Sequence, residues 1–154
     1  MDTRDALFAE LAAAGLPQPL VLHARADAIP AVPGAYVLLL GLAQEIELDM
    51  ARFAGVRLAP GDYLYAGSAR GPGGLRARIA RHLRPDKKLH WHIDRLAARA
   101  TVAALAFPGA AECGLVAMLA ERPGFSAPVP GFGSSDCRTC ASHLWQWAGG
   151  GTRR

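Results

Sequence analysis

Gly34-Ala35-Tyr36-Val37-Leu38-Leu39-Leu40-Gly41-Leu42 is an unbroken apolar run, and Tyr63-Leu64-Tyr65-Ala66-Gly67 is a second, entered through the turn residues Pro60-Gly61-Asp62. Both runs are short, contain aromatic or β-branched residues and are bounded by glycine or proline, so they read as buried strands. The two are expected to pair antiparallel, with residues 45–60 as an elaborated connection. Inside that connection Glu45 to Asp49 alternates acids with apolar residues, the pattern of a strand with one face in water. Each core run sets a tyrosine near a glycine: Gly34-Ala35-Tyr36 in the first and Tyr65-Ala66-Gly67 in the second.

Downstream, a glycine- and proline-rich turn over 71–74 leads into Leu75 to Leu83. That segment is helical by pattern, with Leu75, Ile79 and Leu83 on one face and four arginines around it. A second helix is expected from about Leu89 to Ala98, a third strand over 101–107, and a third helix over Ala110 to Leu119 with Glu112 in its first turn. Residues 123–140 read as loop, and His143 to Trp147 as a short last strand. Upstream, residues 3–14 read as an amphipathic helix carrying Leu7, Phe8 and Leu11 and stopped by Gly15 and Pro17. The expected organisation is a helical extension and connector over 1–33 packing on one α/β domain over 34–148, with a disordered tail over 149–154.

A chain of 154 residues that is 51% hydrophobic buries one core and leaves little for a second domain. No apolar stretch of the sequence is long enough to cross a bilayer. Asp2, Asp5 and Glu10 stand where a secretory leader would be basic and then apolar. A cytoplasmic protein with no membrane partner is the expectation. The net charge of +4 is unevenly placed: residues 70–88 hold seven basic groups against Asp86, leaving the remainder of the chain net acidic. Arg70, Arg76, Arg78, Arg81, Arg84, Lys87 and Lys88 make that segment a footprint for a polyanion, since cationic groups that neutralise phosphates release counterions. Cys113, Cys137 and Cys140 form an odd set in a chain without a leader, which favours reduced thiols or a metal site over disulfides.

The ordered set tyrosine, tyrosine, arginine, histidine, glutamate suits phosphodiester hydrolysis. Arg78 and His82 are four apart on one helix face, and the turn before them brings that face toward the end of the strand bearing Tyr65. A guanidinium can grip two phosphate oxygens where charge builds in the transition state. Glu112 suits a hard divalent ion that keeps most of its water, the habit of magnesium. Tyr36 and His82 both qualify to take the proton from the attacking water. The phenol needs activation by a metal or cations because its ordinary pKa is ~10, while imidazole titrates near neutrality.

The pattern GAY…YAG…LxxRIxxH…E resembles the GIY-YIG nuclease superfamily over roughly residues 34–147. More closely the chain is similar to the Uri-type branch, long catalogued as a domain of unknown function. The segments GDYLYAGSARGPGGLRARIARHL, KKLHWHID, Glu112-Cys113 and GFGSSDCRTCASHL carry that likeness. The resemblance implies a three-stranded antiparallel sheet flanked by helices and hydrolysis with one divalent metal, Mg2+ or Mn2+. It makes Tyr36 the tyrosine near the water, Tyr65 the second active-site tyrosine and Arg78 the phosphate-binding arginine. His82 becomes an acid/base or orienting group, and Glu112 the metal ligand. Ala35 and Ala66 replace isoleucines of the superfamily's name, and the stretch between Gly67 and Leu75 is longer than in many relatives.

His90 and His92 do not share a helix face, so they are assigned to substrate contact or structure rather than to a metal. With Arg70, Arg76, Arg81, Arg84, Lys87 and Lys88 they form the expected nucleic-acid-binding set. Cys137-x-x-Cys140-x-x-His143, with Cys113, has ligand-like spacing for a structural zinc in a C-terminal Cys/His loop. The functional expectation is a metal-dependent endonuclease acting on nucleic acid, DNA ahead of RNA. A non-catalytic nucleic-acid-binding module and a zinc-stabilised interaction domain are the alternatives, and the oligomeric state is left open.

Overall fold

The computed structural model describes residues 3–86, 88–89, 91–133 and 140–149. Helix α1 (Thr3–Ala14) opens the chain and buries Leu7 and Leu11. Strand β1 (Gly34–Leu42) is followed by two short strands, β2 (Ile46–Glu47) and β3 (Arg57–Leu58), with a 3-10 turn over Ala51–Phe53 between them. Strand β4 (Gly61–Ala69), helix α2 (Gly74–Leu83), helix α3 (His92–Ala97) and strand β5 (Thr101–Pro108) come next. Helix α4 (Glu112–Ala120), the two-residue strand β6 (Phe125–Ser126) and strand β7 (Leu144–Trp147) complete the order.

The sheet is antiparallel and five-stranded, in the order β5-β1-β4-β7-β6. The three core strands expected over 34–42, 63–67 and 101–107 lie side by side within it; β7, the short last strand expected over 143–147, extends it on the β4 side, with β6 beyond. The long connection between β1 and β4 folds into its own two-stranded ladder, with Ile46 opposite Leu58. Ile46 is buried there and Glu47 exposed, which is the alternation read at 45–49.

Strand β1 is apolar throughout because both its faces are covered. Successive side chains point to opposite faces, and the two cores divide accordingly. Tyr36, Leu38 and Leu40 pack with Leu75 and Ile79 of α2 and with Ile93 and Leu96 of α3. Ala35 and Val37 pack with Leu7 and Leu11 of α1 and with Leu115 and Leu119 of α4. Each fully buried leucine or isoleucine contributes about 1.5–3 kcal/mol relative to exposure, so these stripes hold the helices to the sheet. The pair formed by Arg122 and Glu10, 2.9 Å apart, ties α1 to the loop after α4.

The antiparallel register brings four strand ends to one edge. Gly34, the first residue of β1, faces both Ala69, the last of β4, and Pro108, the last of β5. Leu144, the first residue of β7, faces Tyr65. Every loop and helix that follows or precedes those ends is thereby delivered to the same place.

One expected boundary is corrected. The helix anticipated from Leu89 begins at His92, because Trp91 is extended and its backbone N–H donates to Oδ2 of Asp94 at 2.8 Å. The acid in the first turn thus takes a backbone donor that the helix itself leaves unsatisfied. The expected disordered tail lies outside the described residues except for Gly149. Among the described residues no helix is long and apolar enough to cross a membrane.

Candidate active site

Tyr36, Tyr65, Arg78, His82 and Glu112 border one cleft of ≈ 340 Å³. They come from β1, β4, α2 and the first residue of α4. Gly67, Ser68, Trp91, His92, Ile93 and Gly133 complete its walls. A second cavity, ≈ 290 Å³, lies between α1 and the opposite ends of β1, β4 and β5; Arg4 and Asp62 are its only charged groups among the described residues.

Tyr36 and His82 are both almost fully buried, and the tyrosine hydroxyl lies 2.7 Å from Nε2 of the imidazole. Burial is the main cause that pushes the Tyr36 phenol well above its ordinary pKa; Tyr65 and Glu112 add to this, while the Arg78 guanidinium opposes it. At neutral pH the group is therefore a phenol with a proton to give, and Nε2 is positioned to accept it. Tyr65 is pushed up to about 12, again by burial first, with the Glu112 and Asp94 carboxylates adding and Arg78 opposing.

The glycines next to these tyrosines are packing requirements. Gly67 lies directly across the ladder from Tyr36, and a β-carbon there would collide with the Tyr36 ring and hydroxyl. Gly133 has φ +71, and a β-carbon on it would sit 2.8 Å from Cε1 of Tyr65 and 2.9 Å from its hydroxyl. Only glycine lets the chain pass so close in that left-handed conformation.

Arg78 is half-buried, donates from Nη1 to the Ser68 carbonyl at 3.1 Å, and lies over the Trp91 ring at 4.7 Å. Its neighbour Arg81 is held differently. Nη1 and Nη2 of Arg81 donate to the two oxygens of Asp94 at 2.9 and 2.8 Å, and the guanidinium covers Trp91 at 4.1 Å. Asp94 is completely buried, so this fork is what keeps its charge in the interior. Arg81 is among the residues expected to bind nucleic acid; the fold supplies it with a structural partner in Asp94, beside Trp91 of the cleft wall.

Glu112 is the only acid bordering the cleft among the described residues. Its Oε2 lies 3.6 Å from Nδ1 of His143, just beyond hydrogen-bond distance. Behind it, ligand atoms of Cys113, Cys140 and His143 lie within 4.8 Å of one another, a cluster that could hold a metal ion.

The remaining expected residues are placed as follows. His92 borders the cleft and meets Phe53 edge-on, ring centres 5.4 Å apart. Arg70, Arg76, Arg84 and Lys88 are exposed along α2 and its flanks, and Arg76 donates from Nε to the Ile29 carbonyl at 2.6 Å. Lys87, His90 and Cys137 lie outside the described residues. Trp91, Ser68 and Gly133 were not assigned to the site from the sequence, and the structure puts all three on the cleft wall. The Gly-Phe-Gly signature at 131–133 was the available signal for the last of these.

The family model described as Domain of unknown function DUF123 matches residues 35–151, well over half of the chain. No curated protein matches, and no solved structure does.

Proposed function

We propose that this chain, which belongs to the family Domain of unknown function DUF123, is a metal-dependent nuclease of GIY-YIG type that hydrolyses phosphodiester bonds in DNA. The observation that carries the reading is the convergence of Tyr36, Tyr65, Arg78, His82 and Glu112 on one cleft. They are far apart in sequence and chemically complementary to a scissile phosphate.

Arg78 binds the phosphate oxygens and meets the charge that grows on them in the transition state. Water attacks phosphorus on one side, and the bond to the leaving oxygen breaks on the other. The water's proton passes to the Tyr36 oxygen as the proton of Tyr36 passes to Nε2 of His82, so no phenolate has to form in a site that disfavours one. The direct contact joins the two candidates for base into one unit. Tyr65, on the neighbouring strand, also lines the cleft and stays a phenol, a hydrogen-bond donor to a phosphate oxygen or water. Glu112 would hold Mg2+ or Mn2+; its lone carboxylate suits an ion that keeps most of its water. When bound, that ion supplies Lewis-acid stabilisation of phosphate and leaving oxygens. The exposed cations Arg70, Arg84 and Lys88 supply sequence-independent attraction to the backbone.

The thiol–imidazole cluster is read as a zinc site, because Cys and His donors in a compact set suit that ion. The set read from the sequence adds Cys137. Such an ion would staple the entry of β7 to the start of α4.

The test is a panel of end-labelled single-stranded, double-stranded and branched DNA and RNA, with Mg2+, Mn2+ or a chelator. Cleavage of at least one DNA in Mg2+ or Mn2+, stopped by the chelator, is expected. Salt-sensitive binding with no cleavage of any member would assign the chain to the non-catalytic alternative.

A further inference from the structure

Glu112 faces two ways. Its side chain borders the cleft, and its Oε2 lies 3.6 Å from Nδ1 of His143. The imidazole of His143 is itself only 3% exposed, and its other nitrogen, Nε2, is buried and has no hydrogen-bond partner among the described residues. Buried polar atoms are nearly always satisfied, and an ion is one of the partners that satisfies such an atom. The nearby Sγ atoms of Cys113 and Cys140 complete a compact donor set with this ring.

We infer that a thiolate-held zinc ion and the cleft are mechanically linked: Cys113, Cys140 and Nε2 of His143 bind the ion, and Nδ1 of the same ring holds Glu112 in place. The role of Glu112 inside the cleft rests on the nuclease reading; the link from ion to carboxylate stands on this geometry alone. A histidine that ligates a metal through one nitrogen carries its proton on the other, and that N–H is given to a carboxylate, a backbone carbonyl or water. Ligation at Nε2 therefore fixes the tautomer with the proton on Nδ1, the nitrogen facing Glu112. With no ion, the ring proton can sit on either nitrogen, and the carboxylate loses a fixed donor. His143 is in this sense a positioning residue, acting on the cleft through Glu112.

The chain supports the link at both ends. Cys113 follows Glu112 in the first turn of α4, so one thiolate bond anchors the backbone that carries the carboxylate. Cys140 and His143 lie just before β7, which is paired to β4 beside Tyr65. The ion would clamp these two segments together at the cleft's edge. Coupling of this kind is reciprocal: what the ion does for Glu112, Glu112 does for the ion.

The test uses the full chain with no nucleic acid present. Zinc affinity is measured by competition with a chromophoric chelator, and cobalt is substituted to read thiolate ligation from its charge-transfer band. The wild-type chain is expected to bind one zinc and to show the band. Glu112→Gln should keep the band and bind zinc roughly ten- to a hundredfold more weakly, the usual cost of losing an outer carboxylate. Absence of the band in the wild-type chain, or wild-type zinc affinity in Glu112→Gln, would overturn the inference. Nitrogen NMR of the wild-type His143 ring gives a second readout that needs no variant. Metal on Nε2 with the proton on Nδ1 supports the link, and the reverse arrangement rejects it. Cleavage is not measured in either experiment, so failure of the nuclease reading would show separately in the substrate panel.

Discussion

The hydroxyl of Tyr36 and Nε2 of His82 sit 2.7 Å apart across the interface between the first strand of the sheet and α2, both shielded from water. Neither side chain is expected to work alone in this arrangement. Tyr36→Phe removes the proton relay, and His82→Gln removes its acceptor. Each should slow single-turnover cleavage by roughly a hundredfold to ten-thousandfold, and the double variant should be no slower than the worse single one, because groups acting as a unit are not additive. Multiplying effects in the double variant would show that the two act independently.

Gly67 should be intolerant of the smallest side chain. Gly67→Ala forces the Tyr36 ring off its position on the opposite strand. Overpacking of this kind costs about 1–3 kcal/mol, so the variant should remain folded at 25 °C with a lowered melting temperature. Cleavage should fall as far as in Tyr36→Phe. Full activity in a folded Gly67→Ala protein would mean that the ring's placement is not critical.

Arg81 and Arg78 should separate stability from activity. Removing Arg81 leaves the charge of Asp94 buried without its bidentate partner, a loss of about 3–5 kcal/mol in comparable pairs. Denaturant unfolding of Arg81→Ala should show this, while Arg78→Ala should unfold close to the wild-type midpoint and fail to cleave. Equal stability of the two variants would contradict the structural role given to Arg81.

The buried phenols predict a loss of stability in alkali. A tyrosine whose pKa rises from its ordinary value near 10 to about 12 on folding, as for Tyr65, binds its proton more tightly in the native state. Its contribution is complete below pH 10 and declines as pH rises from there through about 12. Tyr36 is shifted in the same direction and adds to the effect. Tyr65→Phe should lose stability less steeply over that window, as read from unfolding midpoints at pH 9 to 12. An unchanged slope would place the alkaline sensitivity elsewhere.

Much of this fold is legible in the chain because its strands are unusually explicit. The apolar run Gly34–Leu42 has no polar residue to place on a wet face, which forces cover on both sides, and the structure supplies it from two helix pairs. The tyrosine–glycine pairings were readable as signals, but their reason was not. That Gly67 makes room for the ring of Tyr36 depends on cross-strand register, and that Gly133 passes beside Tyr65 depends on where a distant loop returns. The fork between Arg81 and Asp94 is hidden for a similar cause. In sequence Arg81 is one arginine among several, and only the late start of α3 turns Asp94 inward toward it. The contact of His143 with Glu112 arises from the pairing of β7 with β4, a long-range event that no local pattern records.

The central claim is that a scissile phosphate is held between Arg78 and an ion on Glu112. Single-turnover cleavage of end-labelled DNA, measured with binding in the same Mg2+ buffer, tests it most directly on the wild-type chain, Glu112→Ala and Arg78→Ala. The account predicts metal-dependent cutting by the wild-type chain, retained binding but no cutting by Glu112→Ala, and no cutting by Arg78→Ala. Wild-type cutting rates in a folded Glu112→Ala protein, or a wild-type chain that binds DNA and cuts none in any divalent ion, would contradict it.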